Sequence, residues 1–197
     1  MRPVLPFFLL LLCWASPSWS APCCTDRSAG AFTDRYDQPI RTAVKRWWGD
    51  LPDWLLWKAQ LFQESHLDPA AVSPVGARGI AQIMPGTWGD LSRRLDFPPV
   101  ASPHDAKLAI EAGAVYDADL RRQWSRNRSP MEAHRLALAS YNAGTGHILK
   151  AQRACGGASL WSDISPCLSQ VTGQHAGETL GYVTRTLHWR ALMEEHR

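Results

Sequence analysis

The stretch WLLWKAQLFQES (Trp54–Ser65) constrains the chain more than any other. At about 100° per residue, Trp54, Trp57, Leu61 and Glu64 fall on one helical face. That face is apolar except for its last member, so burying the helix carries a carboxyl group to the edge of the core. A buried carboxyl is costly unless it is paired, protonated or put to use. Glu64 also stands at the negative end of the helix dipole, which disfavours its charged form. Directly after it comes a run crowded with Pro, Gly and small residues, HLDPAAVSPVGARGIAQIMPGTW.

The other segments read as helices as well. YDQPIRTAVKRWW offers a short one, and Asp50 with Pro52 reads as the start of the helix that carries Glu64. Residues 66–79 form a loop with LDP, SP and VGARG as turn signals, and GIAQIMPGTW reads as a helical turn broken at Pro85. A long helix follows, with Ser102 as cap, Pro103 at its first position and an apolar face through Ala109, Tyr116 and Leu120. SPMEAHRLALASYNAG opens with a capping box, Ser129 and Glu132, and stops at Gly144. A short helix around residues 146–154 leads to a cysteine loop. The last amphipathic helix places Leu180, Val183, Leu187 and Ala191 inward. No alternating strand pattern of useful length occurs, so the expected class is mainly α with little or no β structure.

The N-terminus reads as a secretory signal over residues 1–20. Arg2 supplies its positive region, Val4 to Ala15 its apolar core, and Ser18 with Ser20 the small residues before the cut. The apolar run is short for a membrane span. The expected organisation is therefore a signal over 1–20, a lead over 21–45 and one catalytic domain over 46–197, exported to the periplasm. Losing Arg2 lowers the formal charge from +3 to +2. That weak basicity, with no dense Lys/Arg run, excludes a nucleic-acid partner. Five cysteines become four when Cys13 leaves, and four in an exported chain suggest disulfides. Cys155 with Cys167 would close a local loop and leave Cys23 to pair with Cys24. The rival arrangement ties the lead to Cys155 and Cys167.

ESHLDPAAVSPVGARGIAQIMPGTW, then ASYNAG, then ETLGYV resemble the successive motifs of the soluble lytic transglycosylase family. The resemblance runs from about Trp54 to beyond Tyr182, and its strength lies in the order and spacing of the motifs. It implies a lysozyme-like, goose-type lysozyme and lytic transglycosylase fold in a single globular domain. It also implies cleavage of the β-1,4 bond between N-acetylmuramic acid and N-acetylglucosamine in peptidoglycan, ending in a 1,6-anhydro sugar rather than hydrolysis. Residue by residue, Glu64 matches the catalytic acid and base, and Ser73, Gln82 and Met84 match positions lining the cleft. Tyr141 and Asn142 match the YN pair. Glu178 and Tyr182 match the last motif, in which the Tyr reaches towards the catalytic glutamate.

The residues support Glu64 on their own account. A carboxyl held among Trp and Leu should keep its proton near neutral pH. Ordinary glycosidases need a second carboxylate across the bond. The nearest in sequence, Asp68, opens the turn at Pro69, where capping is its task. One carboxyl suffices if the sugar's own acetamido group and 6-hydroxyl do the rest, with Gln82, Asn142 and Tyr hydroxyls holding the sugar. Trp88, beside the cleft loop, is expected to offer a stacking face for a sugar ring.

Other chemistries fail on spacing. The seven His are scattered without HExxH or a Cys-His set, which removes a zinc site, and no GxSxG or phosphate-cradling Gly loop occurs. No cofactor is expected. The sequence departs from the family pattern at Ala81, where a larger apolar residue is usual, and at Arg78, where a small one is common. The rival readings are a hydrolytic goose-type muramidase and a wall-binding assembly module without turnover. The expected partners are peptidoglycan glycan strands and a cell-envelope secretion, conjugation or pilus apparatus, with the protein acting as a monomer.

Overall fold

A computed structural model describes residues 32–197, so the signal, Cys23 and Cys24 lie outside the described residues. The helices are α1 (Asp37–Trp47), α2 (Trp54–Ser65), α3 (Pro85–Arg94), α4 (Ala106–Trp124) and α5 (Pro130–Ala143). They continue with α6 (Thr145–Ala154), α7 (Trp161–Ile164), α8 (Ser169–Thr172) and α9 (Ala176–Glu195). No strand occurs among the described residues. Isolated antiparallel bridges join Val72 to Arg78 and Arg78 to Ile83.

Helix α2 is the axis of the fold. It is buried on every side from Leu55 to Phe62, so its apolar character is not confined to the stripe through Trp54, Trp57 and Leu61. Even Lys58 is buried, with its Nζ 2.5 Å from Asp37 on α1. Removing the partner of a buried charge is costly, so this pair ties α1 to α2. On another side, Trp57 packs close to Gly113 of α4 and donates its indole N–H to the Ile110 carbonyl at 3.3 Å. A Cβ on Gly113 would stand 2.7 Å from the Trp57 ring and 3.1 Å from Ala81. Gly113 and the small Ala81 therefore set how closely α4 approaches the helix that carries Glu64.

Helix α9 runs antiparallel to α2 and is bolted to it at three levels. Arg190 bonds Asp53 at 2.9 Å, Trp189 and Arg185 donate to Gln63, and Tyr182 donates to Glu64. A second apolar cluster, including Trp124, Leu136, Leu138, Ile148, Ile164, Leu168 and Val183, packs α5, α6 and the cysteine segment beside the first. Cys155 and Cys167 form a disulfide with their Cα atoms 5.8 Å apart, which selects the local-loop pairing. The segment between them is not an open loop: it winds into α7 and a short 3-10 turn at Ser165–Leu168, followed by α8.

Several helix ends differ from the sequence expectation. Asp53, not Asp50, caps α2 by accepting from Leu55 N, while Asp50 pairs with the buried Arg121. Asp105, not Ser102, caps α4 through Lys107 N and Leu108 N, and Ser102 with Pro103 forms the preceding turn. In both cases an Asp nearer the apolar run is the better-placed acceptor. Pro85 opens α3 instead of breaking a helix, because its missing N–H costs nothing in a first turn. Ser129 caps α5 as expected, but the Glu132 carboxylate turns to Arg135 and Trp161 N, leaving half a capping box. On α9 the buried positions are Ala176, Thr179, Tyr182, Val183, Thr186 and Met193. Leu180 and Leu187 are half-buried and Ala191 is exposed. The inward face turns by about one residue so that Tyr182 and Thr179 can meet α2 and α5.

Candidate active site

The chain makes a sharp exit from α2. His66 and Leu67 both take left-handed backbone, with φ of 54° and 64°, and neither is Gly. Such a conformation costs of order 1–3 kcal/mol per residue and persists only where the surroundings enforce it. Here Leu67 is buried, and Ser65 holds the turn: its hydroxyl donates to Ile80 O at 2.8 Å and accepts from Asp68 N at 3.1 Å. Asp68 accepts from Ala70 N and is a turn cap, as its position before Pro69 suggested. The end of α2 is thereby pinned against the 79–83 turn, and Glu64 is held at a fixed place between them.

That turn is itself constrained. Gly79 has φ of 74°, and a Cβ there would lie 1.8 Å from Pro103 O, so no other residue fits. Gln82 also takes a positive φ, 45°, and its amide folds back to donate to Gly79 O at 2.9 Å and Ala71 O at 3.3 Å. Gln82 lines a small cavity together with Met84, Thr87, Tyr116 and Tyr141. Met84 is 45% exposed at this rim. Tyr141 closes the wall by donating to Ala81 O at 2.7 Å, and its ring lies 5.1 Å from that of Tyr116.

Glu64 meets this wall from α2. Tyr182 donates its hydroxyl to Glu64 Oε1 at 2.5 Å, so the other oxygen, Oε2, is the one free to carry a proton. Burial pushes the Glu64 pKa from 4.5 up to about 8, and the Tyr182 hydrogen bond opposes this only in part. Burial, then the charge of Glu64, also raises Tyr141 and Tyr182 well above the ordinary tyrosine range, so both stay hydrogen-bond donors. No other carboxylate among the described residues contributes to the Glu64 shift. The arrangement is a protonated acid bonded to the Tyr182 hydroxyl, with the Tyr141 hydroxyl spent on Ala81 O and the buried Asp117 carboxylate near enough to raise both tyrosines further.

Asn142 and Glu178 sit to one side. Asn142 Oδ1 accepts from Thr179 at 2.8 Å, and both residues line a second, more open cavity with exposed Glu178. The Ser73 hydroxyl accepts from Ala77 N at 2.9 Å and closes the 73–77 turn. Trp88 is not a stacking face. It is 9% exposed, packed against Phe97 in the core beneath α3. Ser65, Thr179 and Tyr116 are positioning residues the motif reading passed over. Ser65 was readable beside Glu64, whereas Tyr116 looks like any other aromatic on an apolar face.

The family model for the transglycosylase SLT domain matches residues 53–163. The membrane-bound lytic murein transglycosylase F of Photobacterium profundum is 36% identical over 119 residues, which cover 57% of this chain and 21% of that protein. The protein of the same name from Yersinia pestis (strain Pestoides F) is 33% identical over 141 residues, covering 68% and 27%. Among solved structures, the 70 kDa soluble lytic transglycosylase of Escherichia coli aligns with a TM-score of 0.61 at 28% identity, over 81% of this chain and 24% of that one. The complex of the 70-kDa soluble lytic transglycosylase with bulgecin A aligns with a TM-score of 0.63 at 27% identity, over 83% and 25%. The chain spans about a quarter of the length of the curated relatives it matches.

Proposed function

This chain belongs to the transglycosylase SLT family, and on that premise we propose that it is a peptidoglycan lytic transglycosylase with Glu64 as its acid and base. The observation that carries the reading is the Glu64–Tyr182 pair: a carboxyl with a pKa of about 8, one oxygen fixed at 2.5 Å and the other free. Such a group holds its proton at neutral pH and is poised to give it up.

The reaction runs in two proton transfers. Glu64 Oε2 protonates the oxygen linking N-acetylmuramic acid to N-acetylglucosamine, the C1–O bond breaks, and the leaving sugar departs with that proton as its 4-hydroxyl. The neighbouring acetamido group supports C1 as the bond opens. The 6-hydroxyl oxygen of the same muramic acid then bonds to C1 and returns its proton to Glu64, so no water is consumed. The 6-hydroxyl is tethered near C1 and has a high effective concentration. One carboxyl as both acid and base suffices for this path, since neither a second base nor a second nucleophile is required. Tyr182 fixes Oε1, and the Gln82, Met84, Tyr116 and Tyr141 wall supports one side of the sugar.

The wider setting follows from the same premise. The substrate is the glycan strand of peptidoglycan, the location is the periplasm after export by the leader, and the working form is a monomer. A cell-envelope secretion, conjugation or pilus apparatus is the partner for which local wall opening is useful. The test is release of soluble muropeptides from purified sacculi. The wild type releases them and Glu64→Gln does not; near wild-type release by that variant would overturn the assignment.

A further inference from the structure

Beside Asn142 lies the open cavity that the proton transfers leave unused. Its polar groups are notable for what they have already given away. Thr172 donates its hydroxyl hydrogen to Leu168 O at 3.1 Å, and Thr179 donates its own to Asn142 Oδ1 at 2.8 Å. His147 Nδ1 lies 2.7 Å from Ala143 O, and a carbonyl only accepts, so Nδ1 carries a hydrogen and, in that tautomer, Nε2 is an acceptor. The exposed Glu178 carboxylate lines the same cavity with neither a hydrogen bond nor an ion pair among the described residues. The Asn142 amide N–H group is the committed donor here, and His175 can serve in either sense. The residues lining the cavity therefore offer three neutral acceptors and one carboxylate, against the Asn142 amide as donor and His175 in either role.

Resting on the transglycosylase reading, we propose that this cavity holds a protonated primary amine carried by the glycan substrate, with Glu178 as its counter-charge. An ammonium offers three donors and a positive charge, which matches what Thr172, Thr179, His147 and Glu178 lack. A carboxylate would face four acceptors and repulsion from Glu178. A neutral acetamide would use one acceptor and leave the charge unanswered. The amine could come from a diamino-acid residue of a peptide stem or from a sugar that has lost its acetyl group. Glu178, His147, Thr172 and Thr179 are then specificity-determining residues, and the Glu64 chemistry proceeds beside them.

Binding tests this without turnover. Calorimetry on the full chain carrying Glu64→Gln compares soluble stem-bearing glycan fragments with the same fragments after chemical acetylation of their amines. Acetylation should weaken binding by about tenfold, the value of one charge-assisted hydrogen bond. Adding Glu178→Gln should weaken the untreated fragments to a similar degree and remove the response to acetylation. Partly deacetylated chitooligosaccharides binding more tightly than fully acetylated ones would identify the sugar amine. A response confined to stem-bearing fragments would identify the stem amine. Equal affinity before and after acetylation, with glycan binding intact, overturns the ammonium site alone. Absence of all glycan binding overturns the reading beneath it and the site together.

Discussion

Replacing Glu64 with Gln should make the protein more stable as well as inactive, and the pH dependence of that gain is specific. The amide keeps the shape of the side chain and an oxygen to accept from Tyr182, but has no proton to lose. In the wild type the folded-state pKa is about 8 against 4.5 for the free group. Below pH 4.5 both states are protonated and the two proteins should differ little. As pH rises from 4.5 the unfolded chain loses the proton while the folded one keeps it, so wild-type stability falls until pH passes about 8. At about 1.4 kcal/mol per pH unit, the deficit at pH 7 comes to about 3 kcal/mol, and nearer 2 after allowing for the partial exposure of Glu64. Urea unfolding at pH 4.5, 6, 7 and 8 measures it. The variant should gain steadily on the wild type across that range. Parallel curves, or a variant less stable at pH 7, would refute the claim that burial keeps Glu64 protonated.

Tyr182→Phe removes the hydrogen bond that holds the Glu64 pKa down, so the alkaline limb of activity should move to higher pH while the rate on sacculi falls about tenfold or more. Gly113→Ala would drive a methyl into the Trp57 ring, and chemical denaturation should show a loss of about 1–3 kcal/mol. Cys155→Ser with Cys167→Ser opens a loop of 12 residues, which should cost about 3 kcal/mol and expose the α6–α8 region first in hydrogen exchange. Thiol labelling of denatured, unreduced protein should accordingly find neither Cys155 nor Cys167 free.

The helical class, the order of the helices and the buried Glu64 stripe were legible because periodic apolar spacing reports burial directly. Helix starts were less so: Asp50, Asp53, Ser102 and Asp105 are all competent caps, and only packing decides which one meets the free N–H groups. Pro85 is ambiguous for a similar reason, since Pro both ends and begins helices. At the site, the meeting of Glu64 with Tyr182 across 118 residues was accessible through the family resemblance alone; no local pattern contains it. Trp88 shows the opposite error, because position beside a cleft motif does not reveal whether an aromatic ring turns inward. The left-handed residues His66, Leu67 and Gln82 left no sequence trace, since none is Gly and what holds them there is tertiary contact. The acceptor-rich cavity was invisible as well, because it depends on where Thr172, Thr179 and His147 spend their hydrogens.

The most direct measurement is the chemistry of the new glycan end. Soluble products released from sacculi by the purified protein are divided, one half is treated with borohydride, and both are analysed by chromatography and mass spectrometry. With Glu64 as both acid and base and the 6-hydroxyl as nucleophile, most products should carry 1,6-anhydromuramic acid and be unchanged by borohydride. Conversion of most products to the muramitol form would mean that water attacks C1, and the intramolecular mechanism would be wrong.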